Sequence, residues 1–476
     1  MTQAAQIVVR DIEAAIRPVR LRLPFRFGAV TLTACPQLFV RARVALGGRS
    51  AEGWAAEMMV PKWFDKRPER SAEQNVADLA ASFERAAAAY RSDAPAAPFV
   101  LHARHYAALQ DDDAGGATAL SKAYGQAVLD RAVLDATCRL LDLSFFDAMT
   151  RNAAGLGDSA IAPDMAGFAW SKWLGGLAPR RCVDARHTVG LLDDLHSSRL
   201  GDDGLPVSLP AVIDRYGVRF FKIKLGGDPA ADAARLAEVL GVLDRAAPDH
   251  RYTLDGNEQY ADAAAVTALF ERLAALPAYA SRPEALLYVE QPFGRDRSLD
   301  ATATLPPLPA PLLLDEGDGS LDAFPQAATL GWRGVSAKSC KGLYKAIINR
   351  ARCTRWNDAL RREGRPPAYF MSAEDLTCQA GLSVQQDLAL AALLGLGHSE
   401  RNGHHYGDGF GSAPDAEQHA FASAHPDLYE AGEGRPRLRI AAGRIALDSL
   451  FQPGFAHAAD PDWRSLQPLA AATSAL

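Results

Sequence analysis

Apolar residues alternate with other residues through VTLTACPQLFVRARVAL (30–46), break at GGRS, and resume in AEGWAAEMMV (51–60). Alternation of this kind marks half-buried strands, and the glycine pair between them marks the turn of an antiparallel hairpin or meander. The period then lengthens. EQNVADLAASFERAAAAY (73–90) and KAYGQAVLDRAVLDATCRLL (122–141) carry apolar residues at helical spacing. Between them, LQDDDAGGATA (109–119) reads as a loop, and the adjacent acids Asp111–Asp113 repel one another and read as solvated surface rather than a cation site.

From about residue 180 the pattern changes again. Eight short apolar runs appear in order: RRCVDARHTVGLL, VRFFKIKLGG, RYTLDGNEQ, LLYVEQP, PLLLDEGD, GVSAKSC, AYFMSAE and LGLGHSE. Helical stretches separate most of them. The clearest is PAADAARLAEVLGVLDRAA, with Asp228 placed to cap and Pro229 in the first turn. Eight strands alternating with helices predict parallel β/α units, and eight is the number that closes a barrel. The expected fold is α/β: a TIM-type (β/α) barrel with an α+β N-terminal capping domain. Residues 1–165 form the cap, 166–435 the barrel, and 436–476 a tail packing back on the cap.

Composition narrows the function. The 476 residues are 48% hydrophobic and 23% charged, with 51 Lys plus Arg against 57 Asp plus Glu, a net charge of −6. No basic excess is available to neutralise phosphates, which argues against a nucleic-acid partner. The six cysteines are scattered without a C-x-x-C pair, as expected of free thiols in a reducing compartment. The most apolar later stretch, LALAALLGLG (388–397), is about half a membrane span. A soluble cytoplasmic protein without membrane contact is the expectation.

In a barrel of this kind the active site lies at the C-terminal ends of the strands. The polar residues there are Lys222 and Lys224 on barrel strand two, Asp255 and Asn257 on three, Glu290 on four, Asp315 and Glu316 on five, and Lys338 on six, with Lys341 just beyond. Strand seven ends in Glu374 and Asp375, and strand eight in Glu400. Asp255, Glu290 and Asp315, spaced 35 and 25 residues apart, can converge on one hard divalent cation. An ammonium in a partly dry site beside another cation loses pKa and can act as a base.

This order of residues resembles the enolase superfamily, in its mandelate racemase/muconate-lactonizing branch, close to the muconate-lactonizing enzymes and dipeptide epimerases. The resemblance spans nearly the whole length. FKIKLGG, LDGNEQY, VEQPF, LLLDE and VSAKSCKG carry it in the barrel, LPFRFGAVTLTACPQLFVRARV in the cap, and LRIAAGRIAL…PGFAHAADPDW in the tail. It implies Mg²⁺ (or Mn²⁺) on Asp255, Glu290 and Asp315, with Lys224 and Lys338 as opposed acid/base groups and Lys222 stabilising an enediolate. It implies removal of the α-proton of a small carboxylate substrate, leading to racemisation or epimerisation, cycloisomerisation, or β-elimination. Homo-oligomers are also what the resemblance suggests.

Departures from the family pattern sharpen the expectations. Lys341 is a second lysine on strand six, and Lys338 is preferred because Lys341 should lie past the strand end. Gly317 follows Asp315-Glu316 where the family often has serine, and Glu316 is expected to hydrogen-bond toward a lysine rather than bind metal. Strand six offers lysine, which disfavours a His-dependent sugar-acid dehydratase. His187 reads as a barrel residue rather than a base. GHSERNGHHYGDGF (397–410) reads as a substrate-side loop; as a metal site it lacks a third ligand for its histidines. Met58, Met59, Trp63 and Phe64 are either lid or core. Two rival readings remain: a non-enolising metal-dependent barrel isomerase, indifferent to Lys338→Ala, and a non-catalytic relative that binds metal and carboxylate.

Overall fold

The computed structural model describes residues 4–476 except 92, 112–115, 303, 304, 306 and 431–433. Asp112 and Asp113 of the acidic loop fall outside the described residues. The N-terminal sheet is an antiparallel meander of β1 (Val8–Phe27), β2 (Val30–Leu46) and β3 (Arg49–Met58). Gly47 and Gly48 make the two-residue turn between β2 and β3, and both have positive φ, +56° and +83°. Only glycine adopts two such residues in succession without strain, which is why this hairpin closes in register with Leu46 opposite Arg49.

Helices α1 (Ala72–Arg91) and α3 (Ala119–Leu141) pack on this sheet, and α2 (Pro98–Asp111) packs on both of them. The last residues of α2, Leu109–Asp111, were expected in a loop. They complete a helix because Leu101, His102 and Leu109 are buried on its inner side. Thr118 caps α3 by accepting the Ser121 N–H. α3 is buried along nearly its whole length, and Gly53 and Gly125 let it come close to β3 and α1.

The barrel strands are β4 (Cys182–Val189), β5 (Phe220–Lys224), β6 (Arg251–Asp255), β7 (Leu286–Glu290), β8 (Leu312–Leu314), β9 (Gly334–Ala337), β10 (Phe370–Ala373) and β11 (His398–Glu400). Each pairs in parallel with the next, and β11 pairs with β4, so the eight strands close. The tail is shared between the two parts of the molecule. Arg444–Ala446 adds antiparallel to β4, whereas Gln467–Pro468 adds to β1. Between them Phe455 stacks on Phe145 and His457 bonds to Asp135 of α3. Asp228 caps the helix Pro229–Ala246 through the N–H groups of Ala230 and Ala231, as its sequence predicts. Among the described residues, no helix is long and apolar enough to cross a membrane.

Candidate active site

Side chains alternate along a strand, so in FFKIK the lysines Lys222 and Lys224 turn into the barrel while Phe221 and Ile223 pack outward. Register then aligns the chemistry. Lys224 sits opposite Asp255 and Asp255 opposite Glu290, while Asp315 and Lys338 are the first residues after β8 and β9. Two backbone features hold the rim. At Gly256 a Cβ would lie 2.6 Å from Pro292 Cα, so glycine lets the ends of β6 and β7 approach. The Gln291 amide accepts from the N–H groups of Asp315 and Gly317 at 2.9 and 3.0 Å and donates to Phe293 O and Ser298 Oγ, both at 2.8 Å. It thereby fixes Asp315 from the neighbouring strand. Gln291 itself is held at φ +34° and Asn257 at +42°, a left-handed region that non-glycine residues adopt only when their surroundings dictate it.

The charges form an interlocked array. Lys222 Nζ lies 2.8 Å from both Glu290 Oε2 and Glu374 Oε2, and 3.0 Å from Asp255 Oδ2 and Glu400 Oε2. Lys224 Nζ is 2.6 Å from Asp255 Oδ2, and Lys338 Nζ is 2.5 Å from Asp315 Oδ2. Lys341 Nζ lies farther from the Asp315 carboxylate (3.4 Å to Oδ1), bonds to Ser336 Oγ (2.6 Å), Asp315 O (3.1 Å) and Asp318 (3.0 Å), and lies past the end of β9. Glu316 accepts from Lys66 (2.8 Å) and from Asn257 Nδ2 (3.0 Å). The lysine it meets comes from the cap.

Ionisation follows from these contacts. Burial works against the Lys222 ammonium, yet Asp255, Glu290, Glu374 and Glu400 outweigh it and hold its pKa well above the ordinary range. Lys338 is raised in the same way, against its burial, by Asp315. Carboxylates are the nearest charges at both positions. Burial, reinforced by Asp255 and Glu374, pushes Glu290 well above the usual carboxylate range. Burial also opposes the charge on Asp255 and Asp315, but their lysines hold both below that range.

Three carboxylates from successive strands form a hard oxygen donor set, and each is paired with a lysine here. The residues present therefore fit a hard divalent cation in donor chemistry.

A roof from the cap covers the lysines. The Phe25 ring lies 5.7 Å from Lys224 Nζ and the Trp63 ring 4.3 Å from Lys338 Nζ. Beneath them is a cavity of about 20 Å³, lined by Lys222, Lys224, Lys338, Asn257, Asp375 and Glu400 among others. That is room for about one water molecule. Met58, Met59 and Phe64 are buried in the cap core, so of the four aromatic and sulfur-bearing residues singled out, Trp63 alone reaches this cavity. Glu316 and Lys66 line a separate open cleft of about 810 Å³.

Several side chains that contact the charge array escaped the sequence reading. Arg186 on β4 pairs with Glu374, Thr188 donates to Glu400 (2.6 Å), and Tyr288 donates to Glu374 (2.9 Å). Their signal was alternation, since Arg186 and Thr188 are inward positions of a strand for which only His187 was weighed. His187 instead faces outward against His405, their rings 4.9 Å apart, and burial lowers its pKa to about 4.

No protein-family model and no curated protein matches the sequence. Solved structures do match, over nearly the whole chain. An enolase from Mycobacterium smegmatis complexed with tartrate is 16% identical, with a TM-score of 0.61 over 98% of this chain and 92% of its own. The chain has the enolase-superfamily fold. An enolase from Pseudomonas fluorescens with bound magnesium, potassium and tartrate has a TM-score of 0.58 at 14% identity, over 99% of this chain and 93% of its own. The 2-chloromuconate cycloisomerase of Rhodococcus opacus has a TM-score of 0.56 at 14% identity, over 95% and 97% of the two chains. At such identities the enolase-superfamily likeness is one of architecture: a closed eight-stranded parallel barrel under an N-terminal antiparallel sheet domain.

Proposed function

We propose that this protein is a Mg²⁺-dependent enzyme that removes the α-proton of a small carboxylate substrate by lysine acid/base chemistry. One observation carries the reading. Lys224 and Lys338 come from β5 and β9, four strands apart in a ring of eight and so on opposite walls, yet both line one cavity. A carbon held between them presents one face to each ammonium.

Asp255, Glu290 and Asp315 would hold the cation, which supplies Lewis-acid polarisation of a substrate carboxylate and stabilises the enediolate left when its α-proton departs. The rest of the chemistry belongs to the chain. Lys222, ringed by four carboxylates, keeps its proton and contributes fixed positive charge beside the developing oxyanion. In each direction one of Lys224 and Lys338 is the neutral amine that takes the α-proton, and the other is the ammonium that returns a proton to the opposite face. Phe25 and Trp63 keep water off both amines. Because the cavity beneath them is far smaller than the few hundred Å³ a ligand site needs, this roof must lift for substrate to bind. Racemisation or epimerisation uses both lysines and is the reading we favour; cycloisomerisation and β-elimination share its first step. Mn²⁺ has the same preference for oxygen ligands and would serve in place of Mg²⁺.

The test is proton NMR in D₂O with Mg²⁺ and a mixed library of amino acids, N-acyl amino acids, dipeptides, hydroxy acids and lactones. Loss of an α-proton signal with wild type, reduced in Lys224→Ala and in Lys338→Ala, is the expected result. Exchange that persists unchanged in both variants would sink the proposal.

A further inference from the structure

The pair of histidines following β11 was set aside as a metal site for want of a third ligand. The fold supplies two more candidate donors from elsewhere in the chain. On β4, Arg186 and Thr188 turn inward to Glu374 and Glu400, so His187 between them turns outward. There it meets His405 of the short helix Asn402–Tyr406 and Asp193 of the loop after β4. Each of the three offers a ligand atom within 4.8 Å of the other two. Zn²⁺ takes such donors at ~2.0–2.2 Å, so the trio would close up around the ion.

His187 and His405 are buried, with relative exposures of 6% and 5%. Neither ring makes a hydrogen bond to any described residue, and their nitrogens are not fully shut off from solvent, so they stay open to an incoming ligand. Asp193 by contrast is held in place, accepting from Tyr406 Oη (2.7 Å) and from the Gly190 N–H (2.8 Å). A carboxylate ligand is commonly oriented in this way, and its remaining lone pairs stay free for an ion. The surrounding backbone is pinned as well: Arg235 donates to Gly190 O (2.6 Å) and Arg22 to His405 O (2.9 Å). Asp193 is only partly buried, which leaves a route in from solvent.

We propose that His187, Asp193 and His405 form a second metal site, for an imidazole-preferring divalent transition metal such as Zn²⁺, separate from the carboxylates on β6–β8. Two imidazoles with one carboxylate are softer than the all-oxygen set at the barrel mouth, so the two sites select different ions. The role is structural. Tyr406, which bonds to Asp193, stacks on Phe25 at 4.3 Å, and Phe25 roofs Lys224. An ion here ties the loop after β4 to the segment after β11 directly beneath that roof.

The experiment is a Co²⁺ titration of the full chain, stripped with chelator and held in excess Mg²⁺, followed by visible absorption and by Zn²⁺ displacement. One equivalent of Co²⁺ should give a d–d band that Zn²⁺ removes. The band should vanish in His187→Ala and in His405→Ala and survive in His404→Ala, the adjacent histidine that lies outside the trio. A wild-type protein with no band, or a band unchanged in either of the first two variants, overturns the proposal. If those variants fail to fold, anomalous diffraction at the zinc edge from wild-type crystals grown with Zn²⁺ decides: a peak bonded to both imidazoles supports the site, and its absence there refutes it.

Discussion

Replacing Lys222 by methionine removes an ammonium that lies within 3.0 Å of four buried carboxylates. Methionine matches the lysine stem in length, so the loss is one of charge rather than of packing. Of the four, Asp255 retains Lys224 and Glu374 retains Arg186. Glu400 keeps Thr188 and the Asp375 N–H, but no described cation pairs with Glu290 other than Lys222. Breaking a buried pair by removing one partner costs about 3–5 kcal/mol. With an unfolding entropy of ~2.1 cal/mol/K per residue, the chain's 476 residues give about 1 kcal/mol per degree, hence a fall in Tm of roughly 3–5 °C. Calorimetry without divalent cation measures it. Saturating Mg²⁺ should recover part of the loss, because a dication on Asp255 and Glu290 replaces the missing charge. A variant as stable as wild type without Mg²⁺ would refute the view that these carboxylates depend on Lys222.

Asp135 joins α3 to the cap sheet and the tail by accepting from the Trp54 and Phe455 N–H groups and from His457 and Arg139. Burial opposes its charge, but His457 and Arg139 hold its pKa down to about 2. Its stabilisation is therefore complete above the unfolded value of 3.8 and is lost as pH falls toward 2; Asp135→Ala should cost about 3–5 kcal/mol in urea melts near neutral pH. Glu57 behaves oppositely. Burial raises it from 4.5 to about 7 against its pairing with Arg131, so its contribution is full below 4.5 and fades as pH rises to 7, by up to about 3 kcal/mol. Glu57→Gln should flatten that part of the stability–pH profile in the same melts. Gly125→Ala would place a Cβ 2.3 Å from the backbone of Ser82 and Phe83, and should cost about 3 kcal/mol or more by forcing α1 and α3 apart.

Much of the barrel could be read because strand ends and chemistry coincide. The polar residue closing each apolar run in FKIKLGG, RYTLD, LLYVEQP and PLLLDE is the one that faces the cavity or its charge array. The Gly47-Gly48 turn and the Asp228-Pro229 cap were legible for a local reason, since each is decided by backbone conformation within a few residues. What could not be read depends on distant partners. Nothing local separates Trp63, which roofs Lys338, from Met58, Met59 and Phe64, which fill the cap core. The Lys66–Glu316 pair joins the cap to β8, and the pairing of Arg186 with Glu374 crosses the barrel interior. Lysine ionisation is set by how many carboxylates surround each amine, which emerges only when five strands are assembled. The tail was expected on the cap and is shared, because Arg444–Ala446 pairs with Cys182–Asp184, the start of β4 that β5 does not reach.

The central claim is that two opposed lysines serve the two faces of one carbon. It is tested most directly by separate incubation of each enantiomer of a responsive substrate in D₂O with Mg²⁺, using Lys224→Ala and Lys338→Ala and following α-deuterium incorporation by mass. Each variant should lose exchange from one enantiomer and keep it from the other, with the preferences reversed between them. A variant of either lysine that exchanges both enantiomers at the wild-type rate would contradict the account.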